Sequence, residues 1–442
     1  MTDLHERVTR VIPGVLEDLA RLVAIPSISS MPDHAADVQR TADAVAALLS
    51  DAGCPDVRQI SEGGQPAVVA RFPAPEGSPT VCLYAHHDVQ PAGDPALWTS
   101  APFAATPRGD RLFGRGVADD KAGIAVHLAA LRAFDGKPPV GVTVFVEGEE
   151  EVGSPSLATL MERHADLLSA DAFVICDSGN WAVGTPAFTT ALRGLVDVVV
   201  EVSTLDHAVH SGQFGGAVPD ALTSLVRLLA TLHDRHGDVT VAGLTTEEPF
   251  AVDYPEDRLR AEAGLLDGVR LTGTGPIADR LWAKPALTVI ALDATPVADA
   301  SNTLAPSARA KVSLRVAPSQ DPAAALDALK RHLLDHAPFG ARVTLSGEGS
   351  GAGSRVPLAG PVAAAAASAW ADAWGTPAVE VGQGGSIPMV AAFQQAFPDA
   401  AVLVTGVIDP DSRQHGIDES LHLGDFARAC LAEALLLERL GR

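Results

Sequence analysis

Residues 84–123 open with YAHHDVQP at residues 84–91 and close with GRGVADDKAG at residues 114–123, and the fold class can be predicted from this segment outward. The apolar run Val81–Ala85 predicts a buried strand that delivers His86 and Asp88 to its carboxyl end, where α/β sheets usually carry their chemistry. We therefore expect a metal ligand and its supporting carboxylate at this edge of the sheet.

The spacing within the stretch separates neighbouring polar residues by role. Residues two apart in an extended chain share a face, so Asp88 can reach the site that His86 enters, whereas His87 points away. Asp119 and Asp120 follow a glycine turn and open an apolar helix. Adjacent carboxylates repel each other unless a cation or a proton lies between them, which makes this pair a second candidate for the site.

Strands and helices alternate on both sides of this stretch. Apolar spacing predicts a first helix over residues 8–22, interrupted or kinked near Pro13, and further helices over residues 35–52 and 121–134. Apolar runs predict strands at residues 57–60, 67–70, 81–85, 141–147, 172–176 and 401–404. The alternation predicts an α/β fold with a mostly parallel sheet and helices on both faces.

The pattern changes after Ala191. Strand-like runs and helical segments follow in β-α-β-β-α-β order, with strands at residues 195–202, 287–292, 308–316 and 342–345 and helices at residues 219–233 and 322–336. This order predicts an inserted α+β, ferredoxin-like domain with helices on one face of a small sheet. We assign residues 1–191 and 348–442 to a catalytic domain and residues 192–347 to an inserted lid and dimerisation domain.

Composition excludes several classes of partner. The net charge of -23 and the pI near 4.9 argue against nucleic acid and anionic membranes, because phosphate would repel the chain. The four cysteines show no CxxC spacing, which predicts buried free thiols. The N-terminal residues lack the pattern of a signal or transit peptide, and no apolar run approaches the roughly 20 residues of a membrane span. We therefore expect a cytoplasmic protein.

Acidic residues and a histidine follow further predicted strands. EGEEEVGS at residues 147–154 comes directly after an apolar strand, which fits poorly with an ordinary solvated acidic loop. A lone aspartate or histidine in a loop is more often structural than a ligand, so the coincidence carries the argument. The residues that fall at or just after predicted strand ends are His86, Asp119, Glu150, Glu151, Asp177 and His415. Nitrogen and carboxylate ligands suit Zn, Mn or Co, and the lack of nearby cysteines argues against a structural zinc site.

Eight motifs in order resemble one family over nearly the whole chain. The chain is similar to the zinc-dependent dipeptidase and amidohydrolase family that includes carnosinase, glutamate carboxypeptidase, aminoacylase and succinyl-diaminopimelate desuccinylase, and it resembles the dipeptidase branch most. The motifs are HHDVQP, GRGVADDKAG, EGEEEVGS, CDSGNW, DHAVHSGQFGG, VSLRVAP, GGSIP and RQHGIDE.

The resemblance implies a site with two Zn²⁺ ions per subunit, with Mn²⁺ or Co²⁺ as alternatives. It implies that Asp119 bridges the two metals, one of which His86 and Asp177 also hold, while Glu151 and His415 hold the other. A water between the metals would attack the peptide bond.

The same resemblance assigns roles outside the ligand set. Glu150 matches the general base, and Asp88 matches the residue that orients the histidine ligand. His210 matches a histidine that reaches the active site of the other subunit of a homodimer, where it stabilises the oxyanion. The substrate's C-terminal carboxylate would be bound by Arg315, with Thr303 and Ser386 as hydrogen-bonding partners.

One departure keeps an alternative open. Gly382 and Gln383 stand where many members of the dipeptidase branch have Arg-Glu, a charge pair that bears on recognition of the substrate's free amino end. The chain is therefore predicted to hydrolyse dipeptides or short peptides with a free C-terminal carboxylate, with an N-acyl-amino-acid amidohydrolase as the alternative. A catalytically silent scaffold predicts a broken ligand set, whereas every ligand position is filled. A serine hydrolase lacks support because no GxSxG elbow follows a strand.

Overall fold

The computed structural model describes residues 2–385 and 387–442. The chain divides into two compact units, of which the first comprises Met1–Thr190, Val356–Val381 and Ile387–Arg442 and the second comprises Ala191–Arg355 and Gly382–Ser386.

The strands, in chain order, are β1 (Asp56–Ile60), β2 (Ala67–Phe72), β3 (Thr80–His86), β4 (Thr106–Arg108), β5 (Arg111–Phe113), β6 (Gly141–Glu147), β7 (Ala172–Ile175), β8 (Ala187–Leu192), β9 (Gly194–Ser203), β10 (Val209–His210), β11 (Ala286–Asp293), β12 (Thr303–Leu304), β13 (Ser307–Val316), β14 (Arg342–Gly351), β15 (Ser354–Arg355), β16 (Val379–Gln383), β17 (Ala401–Val404) and β18 (Ser420–His422). The helices are α1 (Thr2–Val23), α2 (Ala35–Asp51), α3 (Lys121–Ala133), α4 (Leu157–Arg163), α5 (Ala165–Leu168), α6 (Ser211–Phe214), α7 (Ala221–Ala230), α8 (Glu256–Ala263), α9 (Ile277–Trp282), α10 (Pro322–Asp335), α11 (Gly360–Trp374), α12 (Pro388–Ala396) and α13 (Leu423–Leu440).

The first unit is built on a six-stranded sheet in the order β1-β2-β6-β3-β7-β17. Strands β6, β3, β7 and β17 are parallel, and β1 and β2 run antiparallel at one edge. Every residue of β6 is buried, as the continuous apolar runs of a sheet covered on both faces require. The predicted mostly parallel sheet is confirmed.

Helices cover both faces of this sheet. On one face, Leu83 of β3 and Val144 of β6 belong to a core shared with residues of α1, α3 and α13. On the other face, the ring of Phe393 from α12 stacks on Phe173 of β7, with ring centroids 4.1 Å apart, and lies edge-on to Tyr84 of β3. Alternating residues of each strand therefore feed two separate cores, as predicted.

The second unit contains a four-stranded antiparallel sheet in the order β11-β13-β9-β14. Burial alternates strictly along β9, and its buried valines pack with residues of α7 and α10. The remaining residues of β9 lie on the face away from these helices. The predicted β-α-β-β-α-β order with helices on one face is confirmed.

Two features depart from the sequence pattern. Helix α1 continues without interruption through Pro13, because its apolar face, including Val8, Val15 and Leu19, is buried in the core of the first unit. The interruption predicted there is absent. The pattern gave no prediction for α13, which is apolar around most of its circumference. No helix in the described part of the chain is both long enough and apolar enough to cross a membrane.

Candidate metal centre

Three parallel strands bring most of the candidate residues to one edge. His86 is the last residue of β3, which lies between β6 and β7 in the sheet. Glu150 and Glu151 follow β6 in a short 3-10 turn, and Asp177 follows β7. Because the carboxyl ends of parallel strands meet at one edge, these side chains converge although 91 positions of sequence separate the first from the last.

A short antiparallel ladder brings the last candidate to the same place. Strand β18 pairs with β5, so the residues before β18 lie beside those after β5. The pairing continues as Gly114 N–H donates to the carbonyl of Glu419 at 3.0 Å. This ladder places His415 beside Asp119. His415 itself adopts a positive φ of 60° in the loop between β17 and β18.

The carboxylate of Asp119 lies between two histidines. Asp119 Oδ1 is 3.2 Å from Nε2 of His86, and Asp119 Oδ2 is 3.0 Å from Nε2 of His415. Asp177 Oδ1 is 3.8 Å from Nε2 of His86, and Glu151 Oε2 is 3.2 Å from Nε2 of His415. One carboxylate thus joins two clusters of potential ligands.

The structure adds a carboxylate that sequence reasoning left without a role. The ligand atoms of His86, Asp120 and Asp177 lie within 4.8 Å of one another, as do those of Asp119, Glu151 and His415. Asp120 Oδ2 accepts a hydrogen bond from the backbone N–H of His86 at 3.1 Å, while its buried Oδ1 has no partner among the described residues. Adjacency to Asp119 was the signal in the sequence, but it could not tell which member of the pair faces which histidine.

Buried neighbours hold the candidate ligands in place. Nδ1 of His86 is 3.0 Å from the main-chain oxygen of Asp88 and 3.4 Å from its Oδ1. Asp88 Oδ2 accepts from the backbone N–H of Glu151 at 3.1 Å, and Gln90 Nε2 donates to Glu151 Oε2 at 2.8 Å. His87 points elsewhere, because its Nε2 donates to a main-chain carbonyl in another loop at 2.8 Å.

Glu419 is a second residue that sequence reasoning did not single out. Its buried carboxylate accepts backbone N–H bonds from Gly116, Ala118 and Asp119 at 3.0–3.2 Å, and it pairs with the buried guanidinium of Arg115. The carboxylate therefore fixes the backbone that presents Asp119. Its only signal in the sequence was its place at the end of the RQHGIDE motif.

Electrostatics show that the cluster carries more negative charge than its histidines balance. Burial, followed by the charge of Asp177, raises the pKa of Glu150 to about 9, and burial raises the pKa of Asp177 to about 6. Hydrogen bonds to Asp119 and Glu151 raise the pKa of His415 to about 10. These carboxylates and imidazoles, together with the unpartnered oxygen of Asp120, fit divalent cations that bind nitrogen and oxygen ligands.

The remaining predicted site residues lie in the second unit, apart from one that falls outside the described residues. His210 on β10 is paired directly with Thr303 on β12, and both residues are exposed. Arg315 lies on β13, on the face away from the helices of that unit. The prediction for Ser386 falls outside the residues that the structure describes.

Comparison with known proteins identifies the family. Residues 82–439 match the sequence profile of peptidase family M20/M25/M40. The chain belongs to this family. It is 37% identical over 435 residues to the cysteinylglycine-S-conjugate dipeptidase of Corynebacterium striatum, covering 97% of this chain and 96% of that protein. It is 26% identical over 454 residues to the Cys-Gly metallodipeptidase dug1 of Schizosaccharomyces pombe, covering 96% of this chain and 95% of that protein.

Solved structures agree on the fold of this M20 peptidase. The crystal structure of human carnosine dipeptidase 1 matches with a TM-score of 0.82 at 24% identity, covering 99% of this chain and 98% of that one. The resemblance predicted from the eight motifs is confirmed, and so is the prediction of a metal-dependent peptidase. The roles of individual site residues stay predictions.

Proposed function

We propose that this M20 peptidase hydrolyses the peptide bond of dipeptides or short peptides that carry a free C-terminal carboxylate. The observation that carries the proposal is the carboxylate of Asp119, whose two oxygens lie 3.2 and 3.0 Å from Nε2 of His86 and His415. Two similar proteins, named as a cysteinylglycine-S-conjugate dipeptidase and a Cys-Gly metallodipeptidase, support a dipeptide substrate and make Cys-Gly the first one to test. They give no support to the N-acyl-amino-acid alternative.

The proposed cofactor is a pair of divalent cations, with zinc expected and manganese or cobalt as alternatives. His86 and Asp177 would hold one cation, Glu151 and His415 would hold the other, and Asp119 would bridge them. When bound, such ions lower the pKa of a water and polarise a carbonyl. The excess of carboxylates and the orphaned oxygen of Asp120 support two cations rather than one.

Glu150 is the proposed general base. It accepts the proton of the attacking water and returns that proton to the leaving amine, so both must lie within hydrogen-bond reach of its carboxylate. Asp88 orients His86 and fixes the backbone of Glu151.

The second unit would contribute to the reaction through a homodimer. Nδ1 of His210 accepts a hydrogen bond from Gly212 N–H at 3.0 Å, so in the neutral ring Nε2 carries the proton and is free to donate to an oxyanion. The edge strand β11 exposes Val289, Ile290 and Leu292 by 39%, 53% and 45%. An apolar edge of this kind supports coverage by a second copy.

Recognition of the substrate carboxylate is assigned to Arg315 and Thr303. A planar guanidinium can bind a carboxylate through two parallel hydrogen bonds.

Four buried cysteines without disulfide partners support a reducing compartment, for which we propose the cytoplasm.

Replacing Glu150 with Gln tests the reaction. We expect loss of turnover on Cys-Gly and other dipeptides with metal content retained, because the amide cannot accept a proton. The control is Glu162→Gln, on the exposed face of α4, which should leave both quantities unchanged. Loss of metal with folding preserved would mean that the roles of Glu150 and Glu151 are exchanged. A panel of free and N-acylated dipeptides measures the acyl alternative, and a preference for the acylated compounds would overturn the dipeptidase proposal.

Mixed dimers test the role of His210. A His210→Ala subunit paired with a Glu150→Gln subunit should recover activity if His210 acts on the active site of its partner. Absence of recovery in verified mixed dimers would refute action between subunits.

A further inference from the structure

Arg193 is a buried cation with no anionic partner in the part of the chain that the structure describes. Arg193 is 8% exposed, and its Nε has no hydrogen-bond partner among the described residues. Among residues 2–385 and 387–442, its guanidinium donates to the main-chain carbonyl of Lys284, at 3.4 Å from Nη1, and pairs with no carboxylate. Removing a guanidinium from water is costly unless an opposite charge replaces the lost hydration, so this environment is suited to an anion.

Arg315 is a second cation on the same face of the sheet. It pairs across β13 and β9 with Leu195, and residues two apart in an extended chain share a face, which places Arg193 beside this pair. Burial and the positive charge of Arg315 lower the pKa of Arg193 to about 10. No carboxylate of the described chain forms an ion pair with Arg315 either.

Arg193 adjoins the segment that leads into GGSIP. Arg193 N–H donates to the carbonyl of Gln383 at 3.1 Å. A Cβ at Gly384 would lie 3.1 Å from Nη2 of Arg193, so glycine is what allows the guanidinium to approach this backbone. The cation is thus built into the same unit as Arg315 and next to the motif that carries the predicted substrate residue Ser386.

We propose that Arg193 and Arg315 together bind the C-terminal carboxylate of the peptide substrate. Arg193 is then a substrate-binding residue that neither motif matching nor spacing identified. Two guanidinium groups held close together repel each other, and an anion between them removes that repulsion while filling the unused donor positions. The identity of the anion rests on the proposed function, whereas the existence of an anion site rests on the two arginines alone.

The test compares a dipeptide, Ala-Gly, with its C-terminal amide in wild-type protein and in the Arg193→Met variant. We expect the variant to raise KM for Ala-Gly about a hundredfold and to leave kinetics on the amide unchanged, because truncating one side of a buried charge pair costs affinity in that range. Arg193→Lys should retain part of the preference for the acid. The matched control is Arg309→Met. Arg309 is exposed, lies on the same face of β13 as Arg315 and pairs with Asp293, so its replacement should leave KM unchanged for both the acid and the amide.

Each other outcome has a defined meaning. Equal losses on the acid and the amide, or an unchanged ratio between them, would show that Arg193 only supports the fold and would overturn the inference. If Arg193→Met does not fold, the acid-to-amide ratio of Arg193→Lys decides in the same way.

A wild-type protein that hydrolyses no dipeptide would refute the proposed function but not the anion site. In that case thermal stabilisation by Ala-Gly is compared with stabilisation by its amide. A difference in wild type that Arg193→Met removes supports the anion site, and no difference in wild type overturns it.

Discussion

Replacing Glu419 with Gln should lower the free energy of unfolding by about 3–5 kcal/mol, because it removes one member of a buried ion pair. Glu419 is 0% exposed and Arg115 is 1% exposed, so the guanidinium would stay buried without a counter-charge. The carboxylate also accepts N–H bonds from Ala118 at 3.0 Å and Asp119 at 3.2 Å. Glutamine replaces one acceptor oxygen with a donor group, which cannot satisfy the same set of N–H groups.

The assay is urea unfolding of the metal-free protein, followed by circular dichroism. Glu438→Gln is the control, since Glu438 pairs with Arg442 at 2.8 Å on the surface and should cost less than about 1 kcal/mol. Combining Glu419→Gln with Arg115→Met should recover part of the loss, because the unpaired charge is then gone. A loss of less than about 1 kcal/mol for Glu419→Gln alone would refute the reasoning.

The same substitution should weaken metal binding. Glu419 fixes the backbone N–H of Asp119, and disturbing a residue that positions a ligand typically costs about 10- to 100-fold in metal affinity. Titration of the refolded variant with Zn²⁺ measures this effect separately from stability. Unchanged affinity would show that Asp119 holds its position without Glu419.

Three further predictions follow. In the metal-free protein, the pKa of His415 is raised to about 10 and that of Glu150 to about 9. The stability that these groups contribute is fully present below their unfolded pKa values and is lost as pH rises toward 10, so the melting temperature should fall between pH 6.5 and 10, and a rising one would contradict the sign. Zinc binding should release protons and tighten over the same pH range. Gly406→Ala should lower the free energy of unfolding, measured in urea, by about 1–3 kcal/mol, since the added Cβ would lie 1.9 Å from the carbonyl oxygen of Ser178. Gly14→Ala should raise it by about 0.5–1 kcal/mol, because Gly14 lies within α1 and an added Cβ there would meet no atom within 4 Å. His127→Leu should cost about 3 kcal/mol because it strips the buried Glu433 of its partner 2.9 Å away, and replacing both residues with Leu should restore most of the loss.

The candidate ligands at the strand ends could be predicted because local pattern and chemistry coincide there. An apolar run such as β3 or β6 has to be buried, so a polar residue directly after it reaches the carboxyl edge of the sheet. The prediction placed His86 and Asp177 at strand ends, and the structure has both there. The ranges of β6 and β17 were predicted to the residue, since each is bounded by polar or turn-forming residues.

The face-to-face relations within the second unit were less accessible. The sequence assigned Arg315 a role through its motif but gave Arg193 none, because the two are 122 positions apart and meet only when β13 pairs with β9. The pairing of His210 with Thr303 across β10 and β12 is likewise a matter of register. Register depends on which strands meet, and periodicity along one strand does not contain that information.

Residue type and spacing along the chain were enough to predict the α/β class, the inserted β-α-β-β-α-β unit, the resemblance to the family and most of the metal-binding candidates. Three arrangements became visible only in the tertiary structure. The pairing of β18 with β5 brings His415 to Asp119, Asp120 joins the cluster of His86 and Asp177, and the Glu419 carboxylate accepts a hydrogen bond from the backbone N–H of Asp119. These arrangements arise from contacts between segments about 300 residues apart, and such contacts form only when the whole sheet and its loops pack together.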